Sequence, residues 1–309
     1  MKTTIADIHK KYSGKIDRLD LELIIAHAIG KPREFVLSHP EHAISKMKLE
    51  NCELKIARRM RDEPLAYILG SREFFGLPFL VSPATLIPRP ETELMVEMAM
   101  RGNVPTTIGD ERCPTSIIDV GTGSGNIIIS IARTMDSFRD DFRTCGTNLR
   151  FYGIDISEEA LTIAKKNAGR NRVGRKIKFF HGNLLEPMIE NNILDPLTGR
   201  KNCNRVIILA NLPYLSKEIY GATLPTVKKF EPRSALYSPK DGLSHYEKLL
   251  QQIGKMRDTY DISRITCYME ISPEQKTKLS PLIKKYLPAA IIGFEKDLAQ
   301  KWRICTITV

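Results

Sequence analysis

The chain has 309 residues, of which 42% are hydrophobic, and its 47 lysine and arginine residues against 36 acidic residues give a net charge of +11. A chain of this size can bury a sizeable core and is expected to form more than one domain. Its apolar runs are far shorter than the ~20 residues of a membrane-spanning helix, and its first residues lack a signal-peptide core. We therefore expect a cytoplasmic protein with no membrane partner. The basic residues are spread along the chain, so nucleic acid stays open as a partner but is not the expected substrate.

The six cysteines are scattered, with no CxxC pair and no histidine at metal-ligand spacing. This pattern is typical of free thiols in a reducing compartment and predicts no metal site.

Residues 1–65 are predicted to form a small helical domain. Apolar residues recur at helical spacing in residues 19–28 and 54–60, and prolines interrupt the pattern between and after them. His27 lies within the first apolar group and is predicted to pack in the core.

Residues 66–100 are predicted to be a β-hairpin linker followed by a connecting segment. Alternating apolar residues with turn punctuation in residues 64–83 indicate the hairpin. In the connecting segment Arg89 stands between two prolines, which hold it extended, and a helix is expected from Glu91 to Ala99. Residues 104–114 are expected to be a loop before the next strand.

A β-branched run at residues 117–120 leads into a glycine-rich loop and then a helix-like segment at residues 126–132. The first strand of a doubly wound α/β sheet ends in this way. The spacing is not the GxGxxG of dinucleotide sites, and no Lys-Ser/Thr pair ends the loop as in a phosphate loop. The loop instead fits the amino-acid end of S-adenosylmethionine, and its predicted cofactor-binding residues are Gly121, Thr122, Gly123, Ser124 and Gly125.

Two further strands are predicted at residues 151–155 and 176–180. Asp155 ends the first and is placed to accept hydrogen bonds from two ribose hydroxyls. Asn183 follows the second and is placed to hydrogen-bond an adenine amine, while Leu184 would pack on the adenine ring. The polar residues 134–150 are predicted to be a surface extension.

The tetrapeptide Asn211-Leu212-Pro213-Tyr214 follows an apolar run at residues 206–210 that is typical of a buried strand. The side-chain carbonyl of Asn211 and a backbone carbonyl near Pro213 can accept both hydrogens of a planar NH₂ group, and the ring of Tyr214 can cover one face of it. The turn therefore predicts methylation of an amide or an aromatic amine. A proline-containing loop that only closes the strand is the alternative.

The chain resembles the release factor glutamine methyltransferases, the HemK or PrmC family, in motifs that run from about residue 60 to its end. The matching segments, in chain order, are residues 72–76, 86–93, 119–125, 153–157, 211–214, 230–236, 240–243, 269–271 and 296–298. The most specific of them is Ile-Pro-Arg-Pro-Glu-Thr-Glu at residues 87–93.

This resemblance implies a seven-stranded, Rossmann-like class I methyltransferase sheet at residues 101–309, with the N-terminal helical domain recognising the substrate. It also implies an enzyme that uses S-adenosylmethionine to methylate the glutamine of a Gly-Gly-Gln motif in peptide chain release factors. We expect the chain to act as a monomer. The Asn211–Tyr214 turn would grip that glutamine, with Asn211 also near the cofactor. Arg89 and Glu91 would shape the glutamine pocket or brace the cofactor site, or form an ion pair that holds the domains together.

Two residues depart from the family pattern. Leu212 replaces the usual first proline of the turn, and Asn183 replaces the usual acid before the adenine-packing residue. The Asn-Leu-Pro-Tyr spelling also resembles ribosomal RNA adenine methyltransferases, although their glycine loop lies close to the N terminus. Two further alternatives are glutamine methylation of a ribosomal protein, which would be expected to lack the Arg-Pro-Glu-Thr-Glu spelling, and a noncatalytic adaptor that keeps the cofactor fold.

Overall fold

The computed structural model describes residues 2–103, 114–141, 149–194, 204–260 and 262–309. The chain divides into two compact units. The smaller unit comprises residues 1–71 and Leu224–Phe230, and the larger one comprises residues 72–223 and 231–309. The domain boundaries at residues 65 and 100 remain predictions from the sequence. In the part of the chain that the structure describes, no helix is both long and apolar enough to cross a membrane.

The smaller unit is helical. Its helices are α1 (Ile5–Tyr12), α2 (Arg18–Ile29), α3 (Arg33–Ser38), α4 (Lys46–Arg59) and α5 (Leu65–Leu69), with the later α11 (Pro225–Phe230). Local sequence sets the ends of these helices. Thr4 and Asp7 form a capping box at the start of α1, Asp17 caps α2, and Gly30 ends α2 in the left-handed conformation. The core contains Ile24 and Ile56, but His27 is exposed on α2, so its predicted core position is wrong.

The predicted hairpin is present, but it is shorter than the sequence pattern indicates. Its first part is helix α5, and the strands are β1 (Ser71–Phe74) and β2 (Leu77–Leu80). Phe75 and Gly76 at the turn both have positive φ, which suits a tight two-residue hairpin turn. The side-chain oxygen of Asn167 accepts a hydrogen bond from the Leu80 N–H (2.7 Å). The Asn167 amide nitrogen donates to the carbonyls of Leu80 (3.0 Å) and Ser124 (2.8 Å), which ties the hairpin to the glycine loop.

The larger unit contains a sheet of seven strands among the described residues, in the order β5-β4-β3-β6-β7-β9-β8. The strands are β3 (Thr115–Val120), β4 (Leu149–Asp155), β5 (Ile177–His181), β6 (Asn204–Ala210), β7 (Ile262–Glu270), β8 (Ile291–Lys296) and β9 (Trp302–Thr308). Strands β3 to β7 are parallel, and β9 pairs antiparallel with both β7 and β8. The class I methyltransferase sheet that the resemblance implies is confirmed.

Helices cover both faces of this sheet. The helices of the larger unit are α6 (Glu93–Asn103), α7 (Asn126–Asp141), α8 (Glu158–Arg170), α9 (Glu186–Glu190), α10 (Lys217–Ala222), α12 (Pro239–Gly242), α13 (Ser244–Thr259) and α14 (Lys276–Tyr286). Alternate residues of the central strands point to opposite faces. Thus Ile118 and Ile208 pack with α9, α13 and α14, whereas Ile117 and Ile207 pack with α6 and α7.

Part of the predicted surface extension at residues 134–150 is helical, because α7 continues to Asp141. Residues 142–148, and residues 104–113 of the predicted loop before β3, lie outside the described residues. The helix predicted from Glu91 begins as a short 3₁₀ turn at Pro90–Thr92 and becomes α6 at Glu93.

The parallel register aligns the carboxyl ends of the central strands. Val120 pairs with Ile154 of β4 and with Ala210 of β6, and Ala210 pairs in turn with Met269 of β7. The strand order reverses between β3 and β6, which is where ligands bind in open α/β sheets.

Candidate active site

A cavity of about 340 Å³ lies at the carboxyl edge of the sheet, within the larger unit. This volume is in the range of small-molecule sites. The predicted site residues in its wall are Gly121, Thr122, Gly123, Ser124, Asp155, Asn183, Leu184, Asn211, Leu212, Pro213 and Arg89. Gly125, Tyr214 and Glu91 are not in the wall.

The glycine loop has a backbone that other residues do not readily adopt. Gly121, Gly123 and Gly125 have φ of 71°, 55° and 80°. The N–H groups of Gly121 and Thr122 both donate to the carbonyl of Ile154, at 2.8 and 2.9 Å. A Cβ added at Gly121 would lie 3.0 Å from the side chain of Leu212. Gly121 therefore packs closely against Leu212, and a side chain at this position would have to displace it.

Asp155 connects the glycine loop to α8. Its carboxylate accepts hydrogen bonds from the N–H of Gly123 (2.8 Å) and the N–H of Ser157 (2.9 Å), and Ser157 caps α8 as predicted. Burial raises the pKa of Asp155, and the two N–H donors act in the opposite direction. Asp155 also lines the cavity, where its role as acceptor for ribose hydroxyls is predicted.

Asp119 lies fully buried beneath the loop. Its Oδ2 accepts a hydrogen bond from the Thr122 hydroxyl (2.7 Å), and its Oδ1 has no hydrogen-bond partner among the described residues. Burial raises the pKa of Asp119 to about 7. Asp119 belongs to the glycine motif of the sequence, but no role of its own is predicted for it there.

The segment after β5 supplies another wall of the cavity. Leu184 is buried and has a left-handed backbone with φ of 59°. The Gln252 side chain holds this turn by accepting from the Leu185 N–H (2.7 Å) and donating to the Asn183 carbonyl (3.4 Å). Asn183 and Leu184 are thus beside the glycine loop, where the adenine contact is predicted.

The Asn211–Tyr214 turn follows β6 directly and is supported by a buried carboxylate that the sequence reading left without a functional role. The amide nitrogen of Asn211 donates to Oγ1 of Thr92 (3.1 Å), and the Thr92 hydroxyl donates to Oε2 of Glu270 (2.6 Å). The Tyr214 hydroxyl donates to Oε1 of the same carboxylate (3.3 Å). Burial raises the pKa values of Glu270 and of Tyr214.

The backbone of this turn is also fixed. The amide nitrogen of Gln275 donates to the carbonyls of Tyr214 and Gly242, both at 3.1 Å. Leu212 is buried beside the glycine loop. The turn is therefore held by several separate chain segments although its first proline is replaced by leucine.

Arg89 forms an ion pair within the larger unit. Its guanidinium donates to Oε1 of Glu231 (2.5 Å), and Oε2 of that carboxylate accepts from the Ile87 N–H (3.3 Å). The Glu231 side chain is only 1% exposed. Glu91 is exposed, because it lies on the outer side of the 3₁₀ turn whose next residue, Thr92, points inward.

Comparison with known proteins agrees with this geometry. Residues 9–70 match the family described as the PrmC N-terminal domain, and residues 114–212 match a methyltransferase domain. The release factor glutamine methyltransferase of Enterococcus faecalis is 32% identical over 87% of this chain and 84% of its own length. The chain belongs to the release factor glutamine methyltransferase family. Family membership implies S-adenosylmethionine as the cofactor.

Other relatives give the same result. The release factor glutamine methyltransferase of Dictyoglomus turgidum is 30% identical over 94% of this chain and 90% of its own length. That of Vibrio cholerae is 35% identical over 73% and 68%. Among solved structures, the hMettl16 catalytic domain in complex with a MAT2A 3′UTR hairpin has a TM-score of 0.50 at 16% identity, covering 82% of this chain and 81% of that one. This last similarity concerns the fold alone.

The residues in the cavity wall fit the cofactor. Gly121 and Gly123 line the space without side chains, Asp155 offers carboxylate oxygens that can accept from hydroxyls, and Asn183 with Leu184 offers a polar and an apolar contact. The roles given to individual residues from the sequence stay predictions. Thr92, Asp119 and Glu270 make hydrogen bonds that support this site, and they are not among the site residues predicted from the sequence. Thr92 lies inside residues 87–93, the segment most specific to the family, so the sequence marks its neighbourhood although it does not indicate a role for Thr92.

Proposed function

We propose that this chain transfers a methyl group from S-adenosylmethionine to the side-chain amide nitrogen of the glutamine in the Gly-Gly-Gln motif of peptide chain release factors. The observation that carries the proposal is the position of the Asn211 amide in the same cavity wall as the glycine loop, in a chain of this family.

The cofactor residues each have a defined task. S-adenosylmethionine, when bound, supplies an electrophilic methyl group. Residues 121–125 hold its amino-acid end, Asp155 accepts from the ribose hydroxyls, and Asn183 and Leu184 contact the adenine. Asp119 fixes the loop from below through the Thr122 hydroxyl.

The substrate residues act by orientation. An amide nitrogen is a weak nucleophile because its lone pair is delocalised into the carbonyl. Asn211 Oδ1 and a backbone carbonyl at Leu212 or Pro213 accept hydrogen bonds from the two N–H groups of the glutamine amide. These hydrogen bonds fix the amide nitrogen in place, beside Tyr214. Orientation and electrostatic stabilisation of this kind contribute most of the rate enhancement, and no covalent enzyme intermediate is formed.

The remaining contacts concern the release factor itself. Arg89 shapes the cavity wall through its ion pair with Glu231. The N-terminal helical unit contacts the release factor, and the chain works as a monomer in the cytoplasm. A protein glutamine, and not an RNA adenine, is the methyl acceptor.

The test is a labelling experiment with S-adenosylmethionine carrying a radioactive methyl group. The purified chain is incubated with a release factor, with the same release factor after Gln→Ala substitution in its Gly-Gly-Gln motif, or with ribosomal RNA. We expect label only on the unsubstituted release factor. Label on RNA alone would exclude the proposal.

The matched variant is Asn211→Ala, with Asn51→Ala as its control because Asn51 is exposed on α4. Loss of one positioned hydrogen-bonding group typically lowers kcat by about 10²–10³-fold. We expect a loss of that size for Asn211→Ala with cofactor affinity largely retained, and wild-type turnover for Asn51→Ala. Wild-type turnover of Asn211→Ala would contradict the role of the turn.

A further inference from the structure

The amide group of Asn211 is the end of a directional chain of hydrogen bonds. Asn211 Nδ2 donates to Thr92 Oγ1 (3.1 Å), and Thr92 Oγ1 donates to Glu270 Oε2 (2.6 Å). Thr92 and Glu270 are each 1% exposed. A buried hydrogen-bond chain of this kind holds one orientation, because an unmatched donor or acceptor there is costly.

The direction of this series of hydrogen bonds follows from Glu270, its last member. The Thr92 hydroxyl donates its one hydrogen to one carboxylate oxygen of Glu270, and the Tyr214 hydroxyl donates to the other oxygen. The Thr92 hydrogen is therefore committed to Glu270, and its oxygen can only accept from Asn211. The end of the Asn211 amide that faces Thr92 must be the NH₂ group, which leaves Oδ1 as the atom presented to a ligand in the cavity.

The orientation matters because the two ends of an asparagine amide have opposite hydrogen-bonding character. A substrate NH₂ group needs an acceptor. An Asn211 amide rotated by half a turn would place its own NH₂ against the NH₂ of the substrate, and the nitrogen to be methylated would be displaced.

We propose that Thr92 and Glu270 are positioning residues that fix the Asn211 amide so that its carbonyl oxygen faces the substrate. The proposal rests on the proposed function for its kinetic consequence, whereas the orientation itself is a property of the free protein. Glu270 is not itself in the cavity wall, so it acts on the substrate through Thr92 and Asn211.

The kinetic test compares Thr92→Val, which keeps the shape and removes the hydroxyl, with Thr92→Ser, which keeps the hydroxyl. We expect Thr92→Val to lower kcat by about 10²-fold, the loss typical of a misplaced reacting group, with KM and cofactor affinity unchanged. Thr92→Ser should retain turnover. The control is Thr115→Val, because Thr115 is also buried and its hydroxyl has no partner among the described residues. Equal kcat for Thr92→Val and the wild type would overturn the proposal, as would loss of kcat in Thr92→Ser without loss of folding.

A second measurement needs no activity. Hydrogen exchange of the Asn211 side-chain NH₂ group is followed by NMR in protein with labelled asparagine. We expect slow exchange in the wild type and Thr92→Ser and faster exchange in Thr92→Val. An unprotected Asn211 NH₂ group in the wild type refutes the orientation even if every variant folds poorly. Failure of the wild type to label a release factor would instead refute the proposed function, whatever the exchange result.

Discussion

Gly242 is the position at which the structure allows the sharpest test of the support behind the catalytic turn. Its φ is +81°, and a Cβ added there would lie 2.0 Å from the carbonyl oxygen of Tyr214 and 2.6 Å from the amide nitrogen of Gln275. Real Cβ atoms essentially never come within 3.0 Å of such atoms, so in Gly242→Ala the distance between residue 242 and the Tyr214 carbonyl must increase by at least the remaining 1.0 Å. The carbonyl is part of the backbone, so it cannot move away by a change of rotamer as the end of a side chain can.

Two costs add in this variant. A non-glycine residue in the left-handed conformation costs about 1–2 kcal/mol. Forcing atoms into a filled interior costs a further ~1–3 kcal/mol. We therefore expect the free energy of unfolding to fall by about 2–5 kcal/mol. Displacement of the turn by this distance should also lower kcat by about 10²-fold.

The assay is urea unfolding together with turnover on a release factor, with two glycine controls. Gly76→Ala has a similar φ of +69° with nothing within 4 Å of the added Cβ, so it should show the strain without the clash. Gly254 lies in α13 with its nearest atom at 3.7 Å, and alanine there should stabilise the helix by about 0.5–1 kcal/mol. If Gly242→Ala matched Gly76→Ala in both unfolding and turnover, the reasoning from the Tyr214 contact would be refuted.

Two further predictions concern buried carboxylates. Arg89→Met leaves the Glu231 carboxylate buried with one backbone donor, so the free energy of unfolding in urea should fall by about 1–3 kcal/mol. The double variant Arg89→Met/Glu231→Gln should recover most of this loss. No recovery in the double variant would contradict the ion-pair account. Burial raises the pKa of Asp119 to about 7 from its ordinary value of 3.8, so the folded state binds this proton more tightly and wild-type stability should fall as pH rises from about 4 to about 7. Asp119→Asn removes this contribution, so the pH dependence of its free energy of unfolding should differ from that of the wild type. If the two pH profiles stayed parallel across this range, the pKa of Asp119 would not be raised.

The elements that depend on local sequence could be predicted. The apolar runs of β3 and β6, the glycine loop between β3 and α7, and the Ser157 cap of α8 are all set by residues close to one another in the chain. The cavity wall formed by residues 121–124, Asp155 and the 211–213 turn follows from the parallel register, because a doubly wound sheet brings the strand ends together.

The support behind the site could not be predicted from local patterns. Thr92, Asn211 and Glu270 are far apart in sequence, and nothing in their neighbours shows that the three side chains meet. The exposure of Glu91 beside the buried Thr92 depends on the direction of a single 3₁₀ turn. His27 was misplaced for a related reason, since α2 is apolar on most of its surface and the sequence does not show which narrow face meets solvent.

The position of β9 bears on how the site matures. Strand β9 follows β8 in the chain yet lies between β7 and β8, and its Ile304 pairs with Glu270. Chains are made from the N terminus, so β7 has an open edge until β9 is synthesised and inserted. The glycine loop and Asp155 depend only on strands made earlier. The carboxylate behind Asn211 therefore gains its neighbour on this edge of the sheet only when the last strand of the chain pairs with β7.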